Sequence, residues 1–426
     1  MDIVKQEDDG KLFEEKVEDW HLSYQECLPS RMNWRMKLEK SWRQLDMKSE
    51  WKKYTVQELI DLGMLDKPLD GNHGNLHPKE SDYIDKGVPF IMANDLVDGV
   101  VDLDDCAFIS EEQAKTLRKG FAKPGDVLLT HKATIGRTAI VPNKYDTIIL
   151  TPQVTYYRVK WGIDNRYLKY YFDSPDFQST LNNWARSGST RAYLGVTAQH
   201  KLPVVLPPYC EQQKIANILE PLDRKIELNN LINDSLEQMG QTIFDKLFPN
   251  IVVGNNAIGE IITPKRGKSL LSKNAVLGKV PVIAGGLKPA TYHNVANTVA
   301  PVLTISASGA NAGYVSLWNT PIWASDSSFI DASMTKNVYF WYMLLKKRQE
   351  EIYNMQTGTG QPHIYPQHIA AMTIPQLDID RINYFTTLVS PIFENIGIRK
   401  KENVELSSLR DWLLPMLING QAAISD

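Results

Sequence analysis

Two stretches of this chain carry apolar residues at alternating spacings of three and four. The first runs Ile215, Ile218, Leu222, Ile226, then Asn229, Asn233, Leu236, Gly240, Ile243 and Leu247. The second runs Ile382, Phe385, Val389, Ile392, Ile396, Arg399, Asn403, Leu406, Arg410, Leu413 and Leu417. The mean spacing is the coiled-coil period, so each stretch predicts a long helix with a narrow apolar seam. At ~1.5 Å per residue, Pro221 to Leu247 spans about 40 Å, close to one turn of B-DNA at about 34–36 Å. Pro221 and Pro391 are each expected to kink the helix or begin a new one. A seam this narrow suits a helix partner better than a globular face. Packing of each helix on its own module is the alternative.

The rest of the chain alternates differently. Short β-branched and aromatic runs bounded by Gly, Pro and Asp predict strands at Val88–Met92, Asp126–Thr130 and Thr155–Val159. A helical period follows from Tyr167 to Ala185. The order recurs downstream: Ile258–Ile261 opens the second copy, Val280–Ile283 matches Val88–Ile91, Pro301–Ile305 matches the segment at Val127, and a helix is expected over roughly 336–354. The helix pairs Pro221/Pro391, Ile226/Ile396, Asn233/Asn403 and Leu247/Leu417 share an offset of 170, while His200/His368 and Pro207/Pro375 differ by 168. So long a period is not a solenoid repeat. It predicts a duplicated module of mixed α/β (α+β) domain plus helix. The expected organisation is 1–46 an N-terminal extension, 47–208 a first domain, 209–250 a helix, 251–377 a second domain and 378–426 a second helix. A pseudo-twofold arrangement requires the helices to run antiparallel. With Asn233 facing Asn403 at the dyad, Leu222 would lie near Leu414, Gly240 near Ile396, Ile243 near Phe393 and Leu247 near Val389.

Composition narrows the class. Hydrophobic content of 43% and charged content of 23% are those of a globular protein. No apolar run reaches the ~20 residues needed to span a bilayer, and the N-terminus has no secretory pattern. The three cysteines, Cys27, Cys106 and Cys210, are scattered, which argues against a disulfide framework or zinc site and for a reducing, cytoplasmic setting. The net charge of −3 comes from the first 46 residues, which hold 11 acids and 8 bases. The remaining body is neutral, so nucleic-acid binding would need a local basic surface.

Catalytic motifs do not complete. Leu206-Pro207-Pro208-Tyr209 lacks the Asn or Asp with which an adenine methyltransferase holds its base, so it reads as a strand end entering a helix. Gly267-Lys268-Ser269 lacks the upstream glycine of a P-loop, because Ile262 stands there. The histidines show no metal spacing. One loop does recur. Arg186-Ser187-Gly188-Ser189-Thr190-Arg191 and Gln356-Thr357-Gly358-Thr359-Gly360-Gln361 each precede a Gln-His pair. Small hydroxyl residues with Gly, Arg and Gln supply donors suited to phosphates and base edges. The turn Thr130, Lys132, Thr134, Arg137, its counterpart Ser306, Ser308, Asn311, and the basic cluster Lys265, Arg266, Lys268 share that character. The candidate DNA contacts are therefore these residues with Arg186, Ser189, Thr190, Arg191, Thr357, Thr359 and Gln361. A solvated polar loop accounts for any one of them taken singly. The expected helix-pair core is Leu222, Ile226, Asn233, Leu236, Ile243, Leu247, Ile392, Ile396, Asn403, Leu406, Leu413 and Leu417.

The order of parts resembles the specificity subunit of type I restriction-modification systems over about residues 51–420. The carrying pattern is the loop Gly188 to Arg191, the aliphatic strand Leu202 to Pro208, Glu211-Gln212-Gln213-Lys214-Ile215, and Leu222-Asp223-Arg224-Lys225-Ile226 opening a helix. The closing Leu409-Arg410-Asp411-Trp412-Leu413-Leu414-Pro415 followed by Asn419-Gly420 belongs to it as well. The second copy departs at Asp378-Ile379-Asp380-Arg381, and residues 1–46 are unlike the family. The resemblance implies two target-recognition domains, each reading half of a split double-stranded DNA site and separated by two long antiparallel coiled-coil helices. It further implies two modification (methyltransferase) subunits docked on the chain and restriction (translocase/nuclease) subunits in a larger complex. The chain itself would be non-catalytic and bind no cofactor. S-adenosylmethionine, ATP and Mg would belong to the partners. A self-contained DNA adenine methyltransferase and a non-DNA coiled-coil scaffold are the rival readings.

Overall fold

The computed structural model describes residues 51–186, 192–252, 254–358 and 360–422. The extension at 1–46 lies outside them. The chain divides into two compact units. The first ends at Asp223 and regains the chain at Ser408, and the second comprises Arg224–Ser407.

In the first unit the strands Leu69–Asp70, Val154–Tyr157, Val127–Lys132 and Thr134–Ile140 form, in that spatial order, an antiparallel sheet. A second sheet has the order Ala107–Ile109, Val88–Ile91, Ile148–Leu150, Phe121–Ala122, and its Val88 and Ile148 strands run parallel. Lys52–Thr55 pairs with Pro203–Leu206. Thr55 then caps the helix Val56–Asp61 in a reciprocal box with Glu58. The expected helix from Tyr167 to Ala185 is two, Asn165–Asp173 and Pro175–Arg186. Pro175 drives the preceding Ser174 to extended geometry (ψ 144°), which ends the first of them.

The second unit repeats this topology. Lys265–Arg266, Ser327–Asp331, Val302–Ser306 and Val315–Trp318 form the matching four-stranded sheet. Thr291–His293, Val280–Ile283 and Trp323–Ala324 form the second, in which the Val280 and Trp323 strands run parallel. Asn256–Ala257 pairs with Thr373–Ile374. The second copy is shorter where a hairpin (Leu96–Val97 with Val100–Val101) and a helix (Glu111–Thr116) of the first unit have no counterpart. The expected helix over 336–354 is divided at Arg348 into Val338–Lys347 and Gln349–Asn354.

The long helices are Tyr209–Leu247 and Ile379–Ile418. Both run unbroken through Pro221 and Pro391, so the expected start of a new helix at each proline does not occur. Each helix contributes to both units. In the first unit, Ile215 and Leu219 share a core with Leu414, Leu417 and Ile418. In the second, Phe244 meets Phe385 edge-on at 5.5 Å, Gly240 faces Phe393, and Asn229 bonds Asn403. Rising numbers on one helix meet falling numbers on the other, so the pair is antiparallel.

The register differs from the expected one by a helical turn. Asn403 accepts from the amide of Asn229 at 2.8 Å, one turn N-terminal to Asn233, and its own amide donates to Asn230. Gly240 faces Phe393 in place of Ile396. Phe393 is wedged between Tyr339, stacked at 4.9 Å, and Tyr342, and a Cβ on Gly240 would come within 3.3 Å of its ring. The largest seam residue thus selects the position with no side chain. Of the expected seam, Asn233, Ile392, Ile396 and Leu417 are buried, and Leu222, Ile226, Leu236, Ile243, Leu247, Asn403, Leu406 and Leu413 are half-buried. In the first unit Arg410 donates to Asp223 at 2.7 Å, and Asp223 also takes Lys169 at 3.1 Å and the Tyr170 hydroxyl at 2.8 Å. Despite burial, these cations hold the Asp223 carboxyl below its ordinary value. No described helix is long and apolar enough to cross a membrane.

Candidate nucleic-acid interface

In each unit the strand ends and the segment that leads into the Gln-His pair gather at one rim, and the backbone bonds that build it are equivalent. In the second unit, Ile364 N–H donates to the Ala307 carbonyl at 3.0 Å, and Ser308 bridges His363. In the first, Leu194 N–H donates to the His131 carbonyl at 3.0 Å, and Lys132 bridges Tyr193. Ser325 N–H reaches Ile283 in one unit, and Thr151 N–H reaches Ile91 in the other. The turn from Thr130 and the segment Tyr193–Leu194 are therefore neighbours, as are the turn from Ser306 and the segment His363–Ile364.

The second rim has Asp326 at its centre. Its carboxylate accepts from the Ser308 hydroxyl and from the Arg266 guanidinium, the latter at 2.7 Å. Ser306 Oγ and Asn311 Nδ2 both donate to the Gly285 carbonyl, at 3.1 and 3.4 Å. Gly309 N–H donates to the Pro362 carbonyl at 3.0 Å. The loop 357–363 is closed by reciprocal backbone bonds between Thr357 and His363, with Gly358 at φ 102° making the turn. Lys265, Arg266, Lys268, Thr357 and Gln361 are exposed there. Ser306 is buried and committed to Gly285, so its expected role as a surface donor is withdrawn. Thr359 lies outside the described residues.

The first rim is built with different chemistry. Lys132 and Thr134 are exposed across a tight turn in which Ala133 has φ 65°. Thr130 is a correction. It is fully buried at an irregularity in the strand pairing, where its hydroxyl accepts from Arg137 N–H at 2.9 Å. Arg137 is exposed overall, yet its Nη1 is held by the carbonyls of Ala93, Asn94 and Leu96 at 3.1–3.3 Å. That atom ties a loop down and is spent on structure. Arg186 ends its helix exposed. Ser189, Thr190 and Arg191 lie outside the described residues.

Sequence reasoning missed several rim residues. Asp70 accepts from Lys119 and contacts His73 at 2.8 Å. Exposed Tyr193 leans on His131, ring centroids 5.8 Å apart. These lack a motif, and only the duplicated topology finds them. Conversely, two glutamines in the motif-like stretches are structural. Buried Gln199 accepts from the Tyr157 hydroxyl at 2.7 Å and donates to Thr155 and Leu194. Gln212 staples the start of the first long helix to Gly162, Asp164 and Pro207. Among the described residues no group of three His, Cys, Asp or Glu is placed to hold a metal. An open groove lined by Trp51, Tyr171, Phe177, Pro203 and Ile418 shares no residue with the rim.

Residues 48–238 match the family model of the type I restriction modification DNA specificity domain. The type I restriction enzyme MjaIX specificity subunit of Methanocaldococcus jannaschii is 24% identical over 365 residues, 75% of this chain and 82% of that protein. Residues 48–238 thus carry the match to this family, and over most of its length the chain is similar to a type I specificity subunit. The HindI specificity subunit of Haemophilus influenzae adds a shorter match, 33% identical over 103 residues, 23% of this chain and 22% of the relative. The crystal structure of a type I restriction-modification S subunit from M. genitalium is similar in fold, with a TM-score of 0.53 at 16% identity, over 88% of this chain and 97% of that one.

Proposed function

We propose that this chain is a type I specificity subunit that reads a bipartite double-stranded DNA site, one half at each rim. The paired helices set the separation of the halves and offer a docking surface for modification subunits. The carrying observation is that the two rims use one backbone plan with different side chains. Lys132, Thr134 and Tyr193 occupy the first, and Ser308, Asn311 and Gln361 occupy the second. A shared frame with altered donors is what two readers of unlike half-sites require, since base edges are distinguished by donor and acceptor pattern. On this reading the chain is non-catalytic. S-adenosylmethionine would be bound by modification subunits, and ATP and Mg by restriction subunits.

Exchange of residues 51–205 for those of a relative tests this. Methylome sequencing should show one half of the modified site changed and the other kept. Change in both halves, or in neither, overturns the assignment of one half to each rim. Methylation of DNA by the pure chain would instead support a self-contained methyltransferase.

A further inference from the structure

The two units carry opposite charge around equivalent frames. From Ile261 to Ser325 the second unit has six bases, Lys265, Arg266, Lys268, Lys273, Lys279 and Lys288, and no acid. Strand pairing aligns Lys265 with Leu69 and Arg266 with Asp70, because each pair sits opposite matching positions of the next strand. The matching stretch of the first unit, residues 65–152, has ten bases and fourteen acids. Three of its eight lysines are paired with those acids: Lys115 with Glu111 at 3.8 Å, Lys144 with Asp104 at 2.7 Å, and Lys119 with Asp70.

The basic segment is held in a fixed path beside the second rim. Lys268 N–H donates to the Ala324 carbonyl at 2.9 Å, and the Trp323 indole donates to the Lys268 carbonyl at 2.8 Å. Leu270 N–H reaches Ser325 Oγ at 3.0 Å, and Val276 N–H reaches His293 Nδ1 at 3.0 Å. Lys268, Lys273 and Lys279 are exposed along it. Lys273 lies on the short turn Ser272–Asn274, and Lys279 immediately precedes the strand Val280–Ile283. Exposed lysines on a pinned track with no carboxylate in 65 residues suit a polyanion of regular charge. Duplex DNA presents about one negative charge per 1.7 Å of axis.

We infer that the second unit supplies most of this chain's sequence-independent contact with the DNA phosphate backbone, through Lys268, Lys273 and Lys279, while the first unit contributes little. The inference rests on the proposed DNA reading and adds an unequal division of electrostatic work to it. The test is binding of the full-length chain to a short labelled duplex without a modification site, followed by anisotropy over a salt series. Each lost phosphate contact lowers the slope of log K against log salt by about one. Lys268→Gln with Lys273→Gln and Lys279→Gln should therefore lower the slope by about two to three. The matched first-unit set, Lys115→Gln with Lys123→Gln and Lys144→Gln, should lower it by less than about one. Equal effects of the two sets overturn the inference. So does failure of the full chain to bind any duplex at low salt, or equal binding to anionic phospholipid vesicles. If the domain exchange succeeds while the slopes are equal, half-site reading stands and this inference alone falls. If the exchange fails while the slopes differ, the chain is a non-specific DNA binder.

Discussion

His131 shows what burial does to a residue that looked like part of a surface turn. It is fully enclosed, with Nδ1 3.0 Å from the Leu194 carbonyl and no partner at Nε2. Burial pushes its imidazole down to about 4, against the opposing pull of Asp70. An unfolded chain protonates that ring below about 6.5. The native state then loses stability as pH falls from 6.5 to 4, by about 3 kcal/mol across the window. Ala307 holds the equivalent place in the second unit, so this acid sensitivity belongs to the first. Urea unfolding of His131→Gln should show a shallower loss between pH 6.5 and 4.5 than the parent chain. Parallel profiles would remove His131 as the cause. The same residue marks a limit of sequence reading. Lys132, Arg266, Ser308 and Gln361 were recognisable by type and recurrence, and they do sit at the rims. Thr130 and Ser306 were not separable from them, because both strands are buried on both faces and show no alternation to reveal which residues point inward.

At the level of elements, repeat spacing exposed the two helices, their antiparallel sense and most strands. It misjudged their register. An offset of 170 says which residues are equivalent, and it carries no information about where along the seam the dyad falls. Side-chain volume decides that, through Phe393 against Gly240 and the Asn229–Asn403 bond. Asn233 is left buried with neither amide atom partnered. Such a group costs about 1–3 kcal/mol. Asn233→Leu should therefore raise the stability of the chain by about 1–2 kcal/mol in denaturant titrations. Unchanged or lower stability would show that Asn233 is satisfied in solution. Cysteines at 229 and 403 should also cross-link more readily than cysteines at 233 and 403. The splits at Ser174 and Arg348 were less legible: the first needed the rule for residues preceding proline, and the second has no proline or glycine to announce it.

Across the whole molecule, the topology of two sheets and a strand pair was written twice, and duplication made it legible despite weak motifs. The charge contrast between the units was hidden by a net charge of −3. A consequence lies in the indole of Trp51, which stands 3.3 Å from where a Cβ on Gly420 would be. The first described residue and the turn that follows the second long helix are thus side by side in the first unit. Joined by a short peptide, the polypeptide would become a circle with no privileged starting point. A gene rewired to begin at Gly254, run to Gly420, and continue through a short linker from Trp51 to Val252 should yield the same fold and the same modified site. Loss of soluble protein on that rearrangement would show that synthesis order matters. If the permutant works, the order of the two units along the gene is a historical accident: evolution could shuffle, exchange or reopen the circle at many points while both rims stayed intact.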